Sequence, residues 1–418
     1  MREKCDVMKV LSNFEKIQVD GDAATLGVAH FSLEMLRTLK EEFGVQVLLQ
    51  TSANSIESFQ RIPGFAGCVV PRKSIFRHSA GFWGTIISVR QMYWAAQGFY
   101  RFMKHRKEHL RLLSGVEIEY APHHFQAVAG NGLTPRVITC HDIHIFDVPW
   151  KYRPREPLLA LFMENLRSAG AIVTHFARPF RKLPELIEGV SEKVFMTHCP
   201  TLLGDIPLAA QAVREMSEAY GGDRALILYP GQLQEHKNHM RLLEAIRRLK
   251  DERRRVRLVC PGSGFRPEIT SEIKQRAESL GLSDVVHFPG FMNSVNVRAL
   301  YEICDVVVSP SLAEGGSAIA QEAVTFRKPF ACSRIEAACD HLQLMGATAP
   351  LFDPHDVEEM AQALREALDS GPAWVERNES ARLKVKTWTW SNLARRYLEI
   401  FRWVAAGGNP HERPAAQV

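Results

Sequence analysis

Short apolar runs alternate with helical segments throughout the second half of the chain. The runs at 225–229 and 256–260 are each followed by Pro-Gly, and apolar residues at helical spacing come after each turn. Further apolar runs at 285–288 and 306–309 repeat this order of strand and helix. The alternation predicts a parallel sheet covered by helices on both faces, which binds ligands at the carboxyl ends of its strands.

The first half shows the same alternation less regularly. Strand candidates lie at 7–11, 45–49, 137–140 and 171–174. Because 418 residues suit two or three domains, we expect two doubly wound α/β domains, over 1–205 and 206–390. A helix is predicted over 391–405, and the tail 406–418, rich in Gly, Pro and Ala, is expected to be disordered.

Net charge and cysteine usage indicate the cellular compartment and the kinds of partner that suit this chain. The formal net charge of +5 is a mild bias that suits an anionic substrate or an anionic membrane surface without requiring either. The eight cysteines form no Cys-x-x-Cys pair, which indicates reduced thiols. No run has the roughly 20 apolar residues of a spanning helix or the form of a signal peptide. We therefore expect a cytoplasmic protein, with peripheral contact at the inner face of a membrane as an open alternative.

Two glutamates frame a glycine-rich turn in the segment Glu314-Gly-Gly-Ser-Ala-Ile-Ala-Gln-Glu322. Gly315 and Gly316 let the backbone approach a ligand, and their N–H groups, with that of Ser317, are expected to open a helix and point outward toward an anion. Glu322 lies farther along that helix, where its carboxylate can accept hydrogen bonds from a vicinal diol such as ribose. A single Glu on a helix is usually solvated, but the pair with the glycines favours a ligand site.

A second loop, 229–239, also lies between a strand candidate and a helix. Gly231 allows a tight turn there. Lys237 stands near the start of the next helix, where the helix dipole disfavours a cation. Binding an anionic diphosphate would explain its position, since Lys237 would then neutralise a leaving group; a solvent-facing lysine is the alternative.

These segments together resemble glycosyltransferase family 4. The resemblance is carried by 231–239, Pro-Gly-Ser-Gly at 261–264, His-Phe-Pro-Gly-Phe at 287–291, the Glu314…Glu322 pair, Phe-Asp-Pro at 352–354 and Trp-Thr-Trp-Ser at 388–391. It covers about Leu226 to Phe401 in matching order. The first half matches more loosely, through Gly27-Val-Ala-His-Phe, His141-Asp142 and the segment 168–174.

The resemblance implies a GT-B fold, with two Rossmann-like domains facing across a cleft and the last helix crossing back onto the first domain. It implies a retaining, metal-independent hexosyltransferase, with mannose or glucose as the expected sugar. No cofactor is expected beyond the UDP- or GDP-linked sugar donor, and the acceptor would be a glycan, a glycolipid or a lipopolysaccharide. Transfer would occur by front-face attack of the acceptor hydroxyl.

The resemblance also implies site residues. Catalytic roles fall to Glu314, Lys237 and His141, with Lys237 on the diphosphate, Glu314 on the transferred sugar and His141 beside the reacting centre. The implied donor-binding residues are Gly231, Gln232, Lys237, Gly262, Phe291, Gly315, Gly316, Ser317 and Glu322. Gly27 and Asp142 are assigned to the acceptor side, and no residue is assigned to a metal.

Three segments depart from the family pattern. Gln232 stands where the family often has Arg, so one cation for the diphosphate is replaced by a neutral donor. Gly315-Gly316-Ser317 replaces the usual Gly-Phe-Gly, so the loop lacks an aromatic side chain. Ala29 replaces the second glycine of the N-terminal loop.

Other functions fit the residues less well. A glycosidase with two catalytic carboxylates would leave the phosphate-binding features unexplained. A non-catalytic GT-B-like binding protein is supported only by Gln232 and Gly316, and nothing specific favours a nucleotide-sugar epimerase. Nucleoside diphosphate released only in the presence of an acceptor would separate transferase from epimerase.

Three weaker signals have ordinary explanations. Asp20 and Asp22 form a DxD pair that is better explained by a turn with helix-capping acids than by a metal site. His141 and His144 have no evident third partner for zinc. The basic segment 101–113 fits either a helix packed on the first domain or a surface on an anionic membrane, and no nucleic-acid-binding module is visible.

Overall fold

A computed structural model of the chain describes residues 7–13, 27–52, 60–62, 64–65, 67–72, 110–125, 133–151, 155–264 and 266–415. The Asp20 and Asp22 pair and most of the basic segment 101–113 lie outside these residues. Within the described part of the chain, no helix is both long and apolar enough to cross a bilayer.

The first sheet has seven parallel strands in the order β3-β2-β1-β4-β5-β6-β7. Its strands are β1 Lys9–Asn13, β2 Gln46–Ser52, β3 Val69–Arg72, β4 Ile118–Ala121, β5 Arg136–Thr139, β6 Ala171–Thr174 and β7 Val194–Met196. The described helices of this part are α1 Gly27–Phe43, α2 His144–Asp147, α3 Arg155–Ser168 and α4 Ala177–Leu186. The four residues of β4, β5 and β6 are all buried, as expected of strands covered on both faces.

The second sheet has six parallel strands in the order β10-β9-β8-β11-β12-β13. Its strands are β8 Ala225–Leu228, β9 Val256–Pro261, β10 Val286–Gly290, β11 Val306–Ser309, β12 Phe330–Ser333 and β13 Leu351–Phe352. Its helices are α5 Ala210–Tyr220, α6 His239–Asp251, α7 Pro267–Ser279, α8 Ser294–Ile303, α9 Ala318–Thr325, α10 Glu336–Met345, α11 Val357–Asp369, α12 Gly371–Arg377 and α13 Glu379–Lys386. Two doubly wound sheets confirm the predicted fold class.

Both sheets reverse their strand order beside their first strand, β1 in the first sheet and β8 in the second. At such a switch point, neighbouring loops diverge and leave a crevice at the carboxyl ends of the strands. The loops after β8, β9 and β11 therefore converge on one edge of the second sheet. The loop after β5 lies at the corresponding edge of the first.

The last helix, α14 Trp390–Ala405, returns to the first sheet. Leu393, Tyr397 and Phe401 are buried in the hydrophobic core of that sheet. The Tyr397 hydroxyl lies 2.7 Å from the Thr139 hydroxyl on β5. Residues from the end of the chain thus stabilise the first domain.

Residues 406–415 of the tail after α14 contact the end of α14 and the first domain. The indole N–H of Trp403 donates to the Asn409 carbonyl at 2.7 Å. Arg413 donates to the Val194 carbonyl at 2.8 Å, and its guanidinium lies 4.8 Å from the centre of the Phe195 ring. Arg413 is thus the tail residue that contacts β7, and the disorder that the composition suggests for 406–418 stays a prediction.

Candidate active site

Lys237 and Glu314 form an ion pair at the carboxyl edge of the second sheet. The Lys237 Nζ donates to Glu314 Oε1 at 2.6 Å, and the two side chains are 18% and 14% exposed. The loops after β8 and β11, which are separate in sequence, therefore meet through two of the predicted site residues. Both side chains remain partly open to solvent, so the ion pair can separate when a ligand binds. The cation can then bind a phosphate group of the ligand, and the carboxylate can bind its hydroxyl groups.

The backbone around Lys237 is fixed by its neighbours. Its carbonyl accepts a hydrogen bond from the hydroxyl of buried Tyr229 at 2.9 Å. Asn238 adopts a left-handed conformation with φ of 60°, and its buried amide donates to the carbonyls of Pro310 and Pro354 at 2.9 and 2.7 Å. Asn tolerates this conformation better than most residues, which explains its place here. The turn directs Lys237 toward the Glu314 loop.

Gly231 and Gly262 bring the loops after β8 and β9 into direct backbone contact. Gly262 has a φ of +152°, and a Cβ at this position would overlap the Gly231 carbonyl. Its N–H donates to the Gly290 carbonyl at 2.8 Å, which joins the loop after β10 to the same edge. A cleft of about 380 Å³ opens beside these glycines. Its lining is Leu233, Gly262, Ser263, Gly264, Pro267, Thr270, Ser271, Lys274, Phe288 and Gly290.

Gln232 and Phe291 lie at the border of this edge. The side-chain oxygen of Gln232 accepts from the Gln234 amide at 2.6 Å, so its NH₂ group is the part that Gln232 can offer to an anion. Phe291 follows β10 and is 46% exposed. An exposed ring beside a cleft provides an apolar face for a planar ligand group.

Among the described residues, the Glu322 carboxylate accepts a hydrogen bond from one side chain. The hydroxyl of buried Tyr301 on α8 donates to Glu322 Oε2 at 2.6 Å. Burial raises the pKa of Glu322 to about 7, although the hydrogen bond from Tyr301 acts to lower it. The carboxylate stands in the second turn of α9 and keeps acceptor positions that a diol can use.

The position of Ser317 differs from the prediction that its N–H points outward toward an anion. Its N–H does not point outward to a ligand, because it donates to Nδ1 of His341 on α10 at 2.9 Å. The residue is 2% exposed, and its hydroxyl caps α9 by accepting from the Ala320 N–H at 3.3 Å. Ser317 therefore shapes the loop between Glu314 and Glu322, and it does not offer this N–H to an anion.

Gly315 and Gly316 approach the first domain closely. A Cβ on Gly315 would overlap the His141 carbonyl, and a Cβ on Gly316 would overlap the ring of Phe176. The glycines were predicted to let a ligand approach the backbone. The structure gives them an additional role, since both allow the loop of one domain to contact the other.

His141 lies beside this loop on the first domain. Its Nε2 is 2.9 Å from the Pro122 carbonyl, which can only accept, so this nitrogen carries a proton and Nδ1 is the acceptor. Burial lowers the pKa of His141, so the ring is neutral near neutral pH. The structure thus brings His141 next to the loop that carries Glu314, and its role beside the reacting centre stays a prediction.

Asp142 anchors the same loop and helix α2. Its Oδ1 accepts from the His144 N–H at 3.0 Å and lies 3.5 Å from His144 Nδ1 and 4.0 Å from His124 Nε2. Burial acts to raise the pKa of Asp142, but these histidines and the backbone N–H hold it well below its usual range. The assigned acceptor role of Asp142 stays a prediction, as does that of Gly27, which is the first residue of α1.

Several neighbours of the site escaped the sequence analysis. His144 and His236 are both buried and face each other across the domains, with ring centroids 5.3 Å apart. Burial, together with Lys237 and Lys151, lowers the pKa of His236 to about 2, so the two rings do not repel each other. His144 stands two residues after Asp142, and the sequence suggests a role for it only as a possible zinc ligand. Within the described residues, no three His, Cys, Asp or Glu side chains are grouped as a metal site would require.

Known sequences match part of this chain. Residues 215–384 match the family model of glycosyl transferases group 1. The serotype-specific mannosyltransferase WbdA of Escherichia coli is 26% identical over 197 residues, which are 47% of this chain but 24% of that protein. The match thus spans about a quarter of that relative. The O-antigen chain mannosyltransferase B of Escherichia coli is 23% identical over 290 residues, covering 68% of this chain and 72% of that protein.

Comparisons with solved structures cover almost the whole chain. Sucrose-phosphate synthase from Thermosynechococcus elongatus superposes with a TM-score of 0.71 at 17% identity, covering 96% of this chain and 100% of that one. Anabaena Alr3699/HepE in complex with UDP-glucose gives a TM-score of 0.68 at 14% identity, covering 94% of this chain and 99% of that one. At these identities the likeness concerns the fold, and it confirms the predicted GT-B architecture.

Proposed function

We propose that this protein, whose residues 215–384 match the family model of glycosyl transferases group 1, transfers a hexose from a nucleotide-diphosphate sugar to an acceptor hydroxyl. The observation that carries the proposal is the Lys237–Glu314 ion pair at 2.6 Å, on a loop in contact with His141 of the first domain. A cation and a carboxylate at this edge can bind different parts of one donor molecule. Lys237 then contacts the diphosphate, and Glu314 contacts the hydroxyls of the sugar.

The remaining donor contacts follow from the geometry of the second domain. Glu322 accepts hydrogen bonds from the ribose hydroxyls while Tyr301 holds its other oxygen. Gly231 and Gly262 let the diphosphate approach the backbone, and the cleft beside Gly262 offers space to the base. Phe291 provides an apolar face at the border of that cleft.

The proposed reaction retains the configuration of the sugar. The acceptor hydroxyl attacks the anomeric carbon on the face that the diphosphate leaves, and its proton passes to the departing phosphate oxygen. The bond from the anomeric carbon to the donor oxygen breaks as the bond to the acceptor oxygen forms. The protein contributes position and charge, since Lys237 stabilises the negative charge that builds up on the leaving group. This scheme uses a protein cation at the diphosphate and needs no metal.

The donor and acceptor are proposed from chemistry and from relatives. Two matched relatives are named as mannosyltransferases, one of them for O-antigen chains, and a structural neighbour is in complex with UDP-glucose. We take a UDP- or GDP-linked mannose or glucose as donor and a glycan or lipid-linked glycan as acceptor. The proposed setting is the cytoplasm, including the inner face of a membrane.

Release of nucleoside diphosphate tests the proposal. The full chain is incubated with UDP-glucose, UDP-galactose, GDP-mannose or GDP-fucose, each with and without mannose- and glucose-terminated oligosaccharides. We expect acceptor-dependent release with one donor and loss of that release in Lys237→Ala. The matched control Lys250→Ala removes a lysine that pairs with Asp284 at the surface and keeps full release. Release that is equal with and without acceptor would contradict transfer.

A further inference from the structure

We call residues 314–317 the donor loop. An aromatic ring of the first domain fills the space that Gly316 leaves in this loop. Phe176 follows β6, and its ring lies where a Cβ on Gly316 would stand. Gly316 is outside the left-handed region of φ, so its backbone would accept an ordinary side chain. The ring of Phe176, and not the local backbone, therefore excludes a side chain at this position. This is the position at which the loop lacks an aromatic of its own.

Phe176 also contacts the residue that holds the loop. Its ring meets the His341 ring edge to face, with centroids 5.0 Å apart and planes at 66°. His341 accepts the Ser317 N–H through Nδ1 at 2.9 Å, which requires the neutral imidazole. Burial lowers the pKa of His341 to about 4, so the ring stays neutral above that pH. Contact thus runs from Phe176 through His341 to Ser317, one residue after Gly316.

Ion pairs fix this contact between the domains. Arg178 on α4 binds Asp147 through both terminal nitrogens, and its Nε donates to Glu336 of α10 at 2.9 Å. Arg181 on α4 also reaches Glu336, at 3.3 Å, and Asp340. Helix α4 begins immediately after Phe176, and α10 carries His341. The pairs therefore hold the Phe176 ring against the donor loop.

We infer that Phe176 is a positioning residue for the donor loop and supplies, from the first domain, the aromatic side chain that Gly316 lacks. The inference rests on the proposed function of the loop. In this arrangement the segment from Glu314 to Ser317 reaches its working shape only when the first domain is seated on it. Domain closure therefore completes the sugar site, while the nucleotide contacts at Lys237 and Glu322 are formed by the second domain alone.

A double-mutant cycle tests the inference. Phe176→Ala, Gly316→Phe and the double variant are compared for donor turnover, measured as nucleoside diphosphate release from the donor that the wild type accepts. Phe176→Ala is expected to lower turnover roughly 10- to 100-fold, because a misplaced loop misplaces the sugar. Affinity for UDP or GDP alone stays within about twofold, since those contacts lie in the second domain. Gly316→Phe is expected to lose turnover through overlap with Phe176.

The double variant decides between positioning and simple damage. A phenylalanine at 316 then occupies the space that Phe176 vacates, and turnover is expected to return to within about fivefold of the wild type. The matched control is Gly315→Ala, whose Cβ would overlap the His141 carbonyl and would also lie 3.2 Å from the Phe176 ring. Removing Phe176 leaves the overlap with the carbonyl, so Phe176→Ala with Gly315→Ala stays inactive. Losses in Phe176→Ala and Gly316→Phe that simply multiply in the double variant would overturn the inference, as would full turnover by Phe176→Ala.

A second readout separates this inference from the proposed function. The melting temperature of each unliganded variant is measured in parallel, and the double variant is expected to recover the stability that each single change loses. If the wild type turns over no nucleotide sugar, the proposed function fails, and the melting temperatures still test the packing. Additive losses of melting temperature would then refute the contact between Phe176 and position 316.

Discussion

Donor affinity should depend on pH through Glu322. Burial raises the pKa of this carboxyl to about 7 in the free protein, so lowering the pH converts it to the neutral acid. A diol donates its hydrogen bonds to the carboxylate, so the donor binds the ionised form. With a pKa near 7, the ionised fraction falls about tenfold from pH 8 to pH 6, and the dissociation constant should rise by the same factor, about 1.4 kcal/mol.

Isothermal titration with UDP-glucose or GDP-mannose between pH 5.5 and 8.5 measures this dependence. A nucleotide sugar is preferred to the free nucleotide, because a terminal phosphate titrates near pH 6 and would add its own slope. Glu322→Gln keeps the shape of the side chain without the titration, so its affinity should be weak and flat across the range. Tyr301→Phe removes the hydrogen bond that lowers the pKa, so its midpoint should move to higher pH. Equal affinity at pH 6 and pH 8, or an unchanged slope in Glu322→Gln, would show that ionised Glu322 does not bind the donor.

Three further predictions concern the ion pair, the domain contact and the last helix. Lys237→Ala should lower kcat/KM at least a hundredfold, about 3 kcal/mol, on a folded chain, and near-normal turnover would mean that Lys237 does not face the diphosphate. Arg178→Ala should weaken donor turnover several-fold and reduce its sensitivity to salt, whereas Lys182→Ala on the same helix, paired within its own domain to Glu185, should change neither. Phe401→Ala should lower the free energy of unfolding, measured by urea denaturation, by about 3–5 kcal/mol, because Phe401 lies in the core. Arg402 is exposed, so Arg402→Ala should lower it by less than about 0.5 kcal/mol, and equal losses would place α14 outside the core.

The order of strands and helices was accessible from sequence because each strand is a short buried run. In the second half, Pro-Gly begins two residues after the end of β8, and the proline of another Pro-Gly ends β9, so short sequence motifs mark both strands and the loops after them. The first strand was harder, since the predicted 7–11 lies two residues before the observed Lys9–Asn13. Apolar periodicity places an element well and its ends less well.

The site residues divide along the same line. Lys237 and Glu314 stand in loops with a local signal, and the fold joins them in one ion pair. Ser317 was misjudged because its partner His341 lies 24 residues away on another helix. Local sequence shows that a helix starts at Ser317, but it does not show which group satisfies its N–H.

Contacts between the domains left the least trace in the sequence. Phe176 follows an apolar strand and reads as a core residue, yet its ring meets a glycine 140 positions later. Arg413 reaches Val194 from a tail whose composition suggested disorder. Both contacts depend on where the chain returns in space, and that information lies in the packing of whole elements rather than in any short window.

Binding of a nucleotide sugar beside Lys237 and Glu314 is the most direct consequence of the proposed function, and it can be measured without knowing the acceptor. The measurement is a thermal-shift panel of UDP, GDP and their glucose and mannose conjugates against the full chain, with Lys237→Ala beside it. A ligand that binds only the folded state raises the melting temperature. We expect a rise with one nucleotide, a larger rise with one of its sugar conjugates, and neither in Lys237→Ala. A protein that melts cooperatively and shifts with none of them, or a Lys237→Ala variant that shifts as the wild type does, would rule out a nucleotide-sugar site that depends on Lys237.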